Sequence, residues 1–220
     1  MCGIFGIKYL DEAKAVQESL VIEATRLMAH RGPDDSGCWV DGSIGLGHRR
    51  LSIIDLSPLG HQPMFNEDGS VGLVFNGEIY NYRELFQPLC ELGHRFRSKT
   101  DTEVIIHAYE EWGCDCLRRF NGMFAFAVWD KRRQSLWVVR DRLGVKPLYY
   151  FWDGATFAFS SEIKPILNCG VLRPELNEQV LDAYFSLGYV PGPETMFKGI
   201  MKLKPGHFLT LKDGRLTEQQ

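Results

Sequence analysis

The chain has 220 residues, 45% hydrophobic and 24% charged, a globular composition with room for one large core or two small ones. A formal net charge of -3 gives no general attraction to nucleic acid or to an anionic membrane surface, and no apolar run approaches the roughly 20 residues that span a bilayer. The opening stretch "MCGIFGIKYLDEAK" has too short an apolar part, and too acidic a sequel, for a secretory signal.

In chain order, "CGIFGIKY" reads as a strand, and residues 16–29 place apolar side chains at helical spacing. "GCWVDGSIGLGHRRLSI" is a hairpin turning at Asp41-Gly42, and "VGLVFNGEIY" is a strand that breaks at Asn76-Gly77. Residues 81–92 predict a helix that stops at Gly93 and is kinked or shortened by Pro88. "TDTEVIIHAYEEWG" opens on a Thr100-x-x-Glu103 capping box and ends at Gly113. Two more hairpins follow, with turns at residues 131–134 and at Asp153-Gly154, then a helix from Asn177 to Gly188 and a last hairpin in the tail. The strands are nearly continuously apolar, so their sheets are expected to be covered on both faces by the helices, an α+β sandwich.

The 6 cysteines are scattered, with no C-x-x-C pair and no matching histidine spacing. That argues against a structural zinc site and for reduced thiols in the cytosol. Cys2 is the exception in position. If Met1 is removed, one residue carries both a thiol and a free α-amine, whose ordinary pKa of about 7.7–8.0 suits it as a general base; otherwise Cys2 is simply a small residue opening a buried strand. Asn76 and Gly77 offer a side-chain amide and a backbone N–H for a developing oxyanion, although Asn-Gly is also the commonest tight turn. Either Arg49 or Arg50, but not both, can face such a site, because successive strand residues point to opposite sides. Asp101 can hold an ammonium, but in the first turn of a helix it also suits the helix dipole, and local sequence favours that second role.

The segments "MCGIFGI", "HRGPDDSG", "HRRLSIIDLS", "FNGEIYNYRELF", "SKTDTEVIIHAYEEWG", "NGMFAFAVWD", "RDRLGVKPLYY" and "FSSEIKPIL" occur in this order. Together they resemble the glutaminase domain of class II glutamine amidotransferases, and most closely that of glutamine-hydrolysing asparagine synthetases. The resemblance implies an N-terminal-nucleophile hydrolase fold, a four-layer αββα sandwich of two antiparallel sheets, and removal of Met1. It implies that Cys2 attacks the glutamine side-chain amide while Asn76 and Gly77 form the oxyanion hole. Arg50 is expected to bind the glutamine carboxylate and Asp101 its ammonium, with Leu51, Ile53, Ile54 and Glu78 among further glutamine-contacting positions. Ammonia and glutamate are the products.

The implied boundaries are a glutamine amidotransferase domain over 2–210 and the start of a linker over 211–220. No phosphate-cradling Ser-Gly-Gly or P-loop motif occurs. ATP and Mg are therefore expected only in an absent synthetase domain, in cis or in trans, and no cofactor or metal in this chain. The expected partners are glutamine, that synthetase domain and, as one possible assembly, a second copy in a homodimer; nucleic acid and membrane are not expected, and the expected location is cytoplasmic. Two other classes are weighed. One is a non-catalytic glutamine-binding or scaffold module, discriminated by a retained Met1. The other is an N-terminal-cysteine acylase for other amides, which would leave the Arg50 and Asp101 charges unpaired.

Overall fold

A computed structural model describes residues 1–220. In chain order, β1 (Gly3–Tyr9) leads to helix α1 (Glu18–Arg26), then to the hairpin β2 (Asp35–Asp41) and β3 (Ile44–Arg50). Next come β4 (Met64–Phe65), β5 (Val71–Ile79), α2 (Tyr82–Glu91) and α3 (Asp101–Trp112). β6 (Gly122–Asp130), β7 (Ser135–Arg140), β8 (Tyr149–Trp152) and β9 (Thr156–Ser160) precede α4 (Ile163–Asn168) and α5 (Leu181–Leu187). β10 (Ile200–Lys202), β11 (Phe208–Lys212) and β12 (Arg215–Gln219) close the chain.

The strands form two six-stranded antiparallel sheets, ordered β10-β8-β9-β1-β3-β2 and β12-β11-β7-β6-β5-β4. Between them lies an apolar layer that includes Ile4, Leu46, Val74, Ala127 and Phe159. On the far side of the first sheet, Phe5 and Ile7 pack on Val21, Ala24 and Met28 of α1 and the turn after it. On the far side of the second, Phe75 and Phe126 pack on Leu89 of α2 and on Val104 and Ile105 of α3. This is the four-layer αββα sandwich, and it explains the apolar runs: all seven residues of β1 are buried because both faces of that strand are covered.

Four local features differ from the sequence expectation. Pro88 sits inside α2, which nevertheless runs on to Glu91. Ile163–Asn168 forms the short α4, where the sequence reading named no element. Glu178–Val180, preceded by Asn177, forms a 3-10 turn before α5 begins. Residues 211–219, expected to begin a linker, complete β11 and form β12, paired from Phe208↔Gln219 to Lys212↔Arg215.

Candidate active site

Cys2 emerges at the start of β1, half-buried. The Leu51 N–H donates to its Sγ at 3.4 Å, and the thiol lies 3.7 Å from the Leu51 carbonyl. Arg31 Nε donates to the Cys2 carbonyl at 2.8 Å and is itself held by Glu162 at 3.2 Å, so the backbone at the thiol is anchored from α4's N-terminal side. Burial pushes the Cys2 thiol above its ordinary value; the Leu51 N–H, the terminal amine and Arg50 pull the other way.

The alternation along β3 sends Arg49 and Arg50 to opposite sides. Arg49 Nε donates to the Gly32 carbonyl at 3.0 Å, away from the thiol. Arg50 is buried and lines the same cleft as Cys2, its guanidinium fixed by the carbonyls of Ser57, at 3.0 Å, and Asp55. Gly60 permits this placement. A Cβ there would lie 1.9 Å from Arg50 Nη2.

β5 supplies the opposite wall. It does not break at Asn76-Gly77 but runs on to Ile79, with Gly77 opposite Phe124 of β6. Gly77 is required by packing rather than by a turn: a Cβ would meet the Met123 carbonyl oxygen at 2.4 Å and Phe124 Cα at 2.7 Å. β4 pairs only with Gly72 and Leu73, so the edge of β5 beyond them is open. On that edge the Phe75 N–H donates to Gln62 Oε1 at 2.7 Å and the Ile79 N–H to Asp101 Oδ2 at 2.9 Å. Alternation places the Gly77 N–H on the same edge, between these two, where no side chain accepts it. The Asn76 side chain is 1% exposed, yet neither its Oδ1 nor its Nδ2 has a hydrogen-bond partner. A buried amide left unpaired is costly unless something else completes it.

Asp101 is not the cap of α3. Thr100 is, its Oγ1 accepting from the Glu103 N–H at 3.2 Å, while Glu103 reaches back past Thr100 to the Arg97 and Ser98 N–H groups. Asp101 instead turns into the cleft, 5% exposed, and burial raises its pKa to about 6 against the pull of the Ile79 N–H.

All nine residues expected from sequence, Cys2, Arg50, Leu51, Ile53, Ile54, Asn76, Gly77, Glu78 and Asp101, line this one cleft. Sequence reasoning missed others. Lys146, from "RDRLGVKPLYY", is buried on the cleft wall, its pKa lowered by burial and by Arg31 but raised by the thiol. Gln62 braces β5, and Arg31, from "HRGPDDSG", braces Cys2. Lys146 and Arg31 lie within motifs noted in the sequence, but nothing local to them says that they approach Cys2.

Over residues 1–220 the sequence matches the family described as "Glutamine amidotransferase domain". It is 42% identical, over 93% of its own length, to a putative asparagine synthetase (glutamine-hydrolyzing) 2 of Methanocaldococcus jannaschii, and covers 42% of that protein. It is also 42% identical, over 97% of its length, to asparagine synthetase (glutamine-hydrolyzing) 3 of Bacillus subtilis, and covers 35% of it. The chain thus spans less than half of these relatives. In fold it resembles the glutamine phosphoribosylpyrophosphate amidotransferase of B. subtilis, with a TM-score of 0.74 at 19% identity, over the whole of this chain and 49% of that one.

Proposed function

The chain belongs to the glutamine amidotransferase domain family, and from that premise we propose that it hydrolyses glutamine to glutamate and ammonia at Cys2. With Met1 removed, the Cys2 α-amine takes the thiol proton, and the sulfur attacks the carbonyl carbon of the side-chain amide. The negative charge that develops on the amide oxygen is met by Asn76 Nδ2–H and the Gly77 N–H, both fixed before substrate arrives. The ammonium form of the α-amine then protonates the departing nitrogen, ammonia leaves, and a γ-glutamyl thioester remains on Sγ. Water adds to the thioester with the same amine as base; the C–S bond breaks and glutamate is released. Arg50 holds the substrate carboxylate with the donors its carbonyl partners leave free, and Asp101 holds the substrate ammonium. The ammonia is delivered to an ATP-dependent synthetase-type domain, in cis or in trans; both relatives are named as glutamine-hydrolyzing asparagine synthetases.

The observation that most supports this is the buried, unpartnered Asn76 amide beside the Cys2 thiol. Asn76→Ala should lower kcat for glutamine hydrolysis by about 10²–10³ with a smaller change in KM. A kcat within threefold of wild type would overturn the oxyanion role.

A further inference from the structure

Two turns along α3 from the cleft, His107 points into the loop that joins α2 to α3, where it meets His94. The two Nδ1 atoms are 3.1 Å apart. Glu110, one helical turn after His107, brings Oε2 to 3.2 Å from His107 Nδ1 and 3.9 Å from His94 Nδ1. A triangle with these sides has a circumscribed radius of about 2.0 Å, which is the length of a zinc–imidazole or zinc–carboxylate bond. The two ring centroids are 4.9 Å apart, with the ring planes tilted by 53°.

The surroundings repeat what metal-bound histidines require, a carboxylate behind the ring nitrogen that does not bind the metal. Glu111 Oε2 stands 3.4 Å from His94 Nε2. Glu103 Oε1 stands 3.7 Å from His107 Nε2, a buried atom with no hydrogen-bond partner, so this carboxylate faces the ring without bonding it. Glu103 is fixed by the N–H groups of Arg97, at 2.8 Å, and Ser98, at 2.7 Å. Asn66 Nδ2 donates to Glu110 Oε1 at 2.6 Å, which leaves Oε2 for the two histidines.

We propose that His94, His107 and Glu110 bind a divalent transition-metal ion, with zinc the best fit to two imidazoles and one carboxylate. Solvent reaches the site past Glu110 and completes the coordination. The ion ties the loop that carries residues 94–97 to α3, and so steadies the segment that presents Thr100 and Asp101 to the cleft. From sequence no zinc was expected, given scattered cysteines and the lack of matching histidine spacing; this set contains no cysteine, and it joins a loop histidine to two residues of α3 that only the fold brings together.

Cobalt(II) is the probe, added alone to the full chain and followed by its visible d–d absorption. The expected result is one equivalent bound, with no intense near-ultraviolet thiolate-to-cobalt band, and displacement by added zinc. His94→Gln and Glu110→Gln, both at partly exposed positions, should each weaken binding at least tenfold and abolish the rise in Tm that zinc gives the wild-type chain. A thiolate-to-cobalt band would place the metal on cysteine and overturn the proposal, as would no saturable binding by the wild-type chain or equal binding by the two variants.

Discussion

Asp101 is the residue whose role its local sequence describes least well. As the first residue of a helix it suits the dipole, yet Thr100 performs the capping and Asp101 is buried in the cleft. Its folded pKa of about 6 lies above the ordinary 3.8. The folded chain therefore binds that proton more readily than the unfolded one, and the associated stability is present at low pH and lost as pH rises through the window from 3.8 to about 6. Ionised Asp101 costs on the order of 2–3 kcal/mol at neutral pH. Asp101→Asn removes that cost. It should raise Tm at pH 7.5 by about 4–12 °C while lowering kcat/KM for glutamine at least about 30-fold, because the substrate ammonium loses its buried counter-charge. Thermal melts and steady-state kinetics on one preparation check both. A cap-only residue would give the reverse pair, a lower Tm with ordinary kinetics. In the wild type, log kcat/KM should steepen below about pH 6, where Asp101 protonates as well as the α-amine, and the variant should lack the second limb.

The two arginines give a second test at this scale. Arg50→Lys exchanges a fork for a point charge in the cleft and should raise KM well above the effect of Arg49→Lys, whose side chain contacts only the Gly32 carbonyl outside it. Equal KM changes in the two variants would contradict the placement of Arg50 on the carboxylate.

At the scale of the element, β5 decides the site. Asn-Gly reads locally as a turn, and turn statistics are right about most such pairs. Here the pair lies inside a strand because β6 approaches so closely that only glycine fits opposite Phe124. That requirement comes from a partner 47 residues away in register and leaves no local mark. Gly77→Ala should therefore both destabilise the fold and lower kcat, since the strand must move away from Met123 to admit a methyl group and carries its own N–H with it. Circular-dichroism melts with glutaminase assays check this. Unchanged Tm and unchanged kcat would show that the strand has slack. α3 is different: its start and stop were legible, because the Thr100 cap and the Gly113 terminator are local chemistry. Lys146 and Gln62 were not, because their distance from Cys2 is set by how whole strands pack.

At the scale of the molecule, the site exists because two sheets meet. Cys2 and Arg50 come from the first sheet, Asn76 and Gly77 from the second, and Asp101 from the helix layer above it. The eight ordered motifs made the family legible and, through that resemblance, the four-layer architecture; the apolar hairpins by themselves gave only an α+β sandwich. They gave the hairpin in the tail but not that it finishes the second sheet, because its partner β7 lies far away in sequence. The inter-sheet layer holds the two halves of the site in register. Leu46→Ala, fully buried in that layer, should cost about 2–5 kcal/mol of stability, read from denaturant unfolding. A loss under about 1 kcal/mol would mean that the sheets repack freely.

The central claim is that Cys2, with its own amine exposed, forms a thioester with glutamine. Incubation of the chain with glutamine, acid quenching and intact-mass analysis with peptide mapping tests it most directly. The account predicts loss of Met1, a glutamyl adduct confined to the Cys2 peptide, ammonia release in the same sample, and neither adduct nor ammonia from Cys2→Ala. Ammonia released at the wild-type rate by Cys2→Ala, or an adduct on any other cysteine, would contradict it.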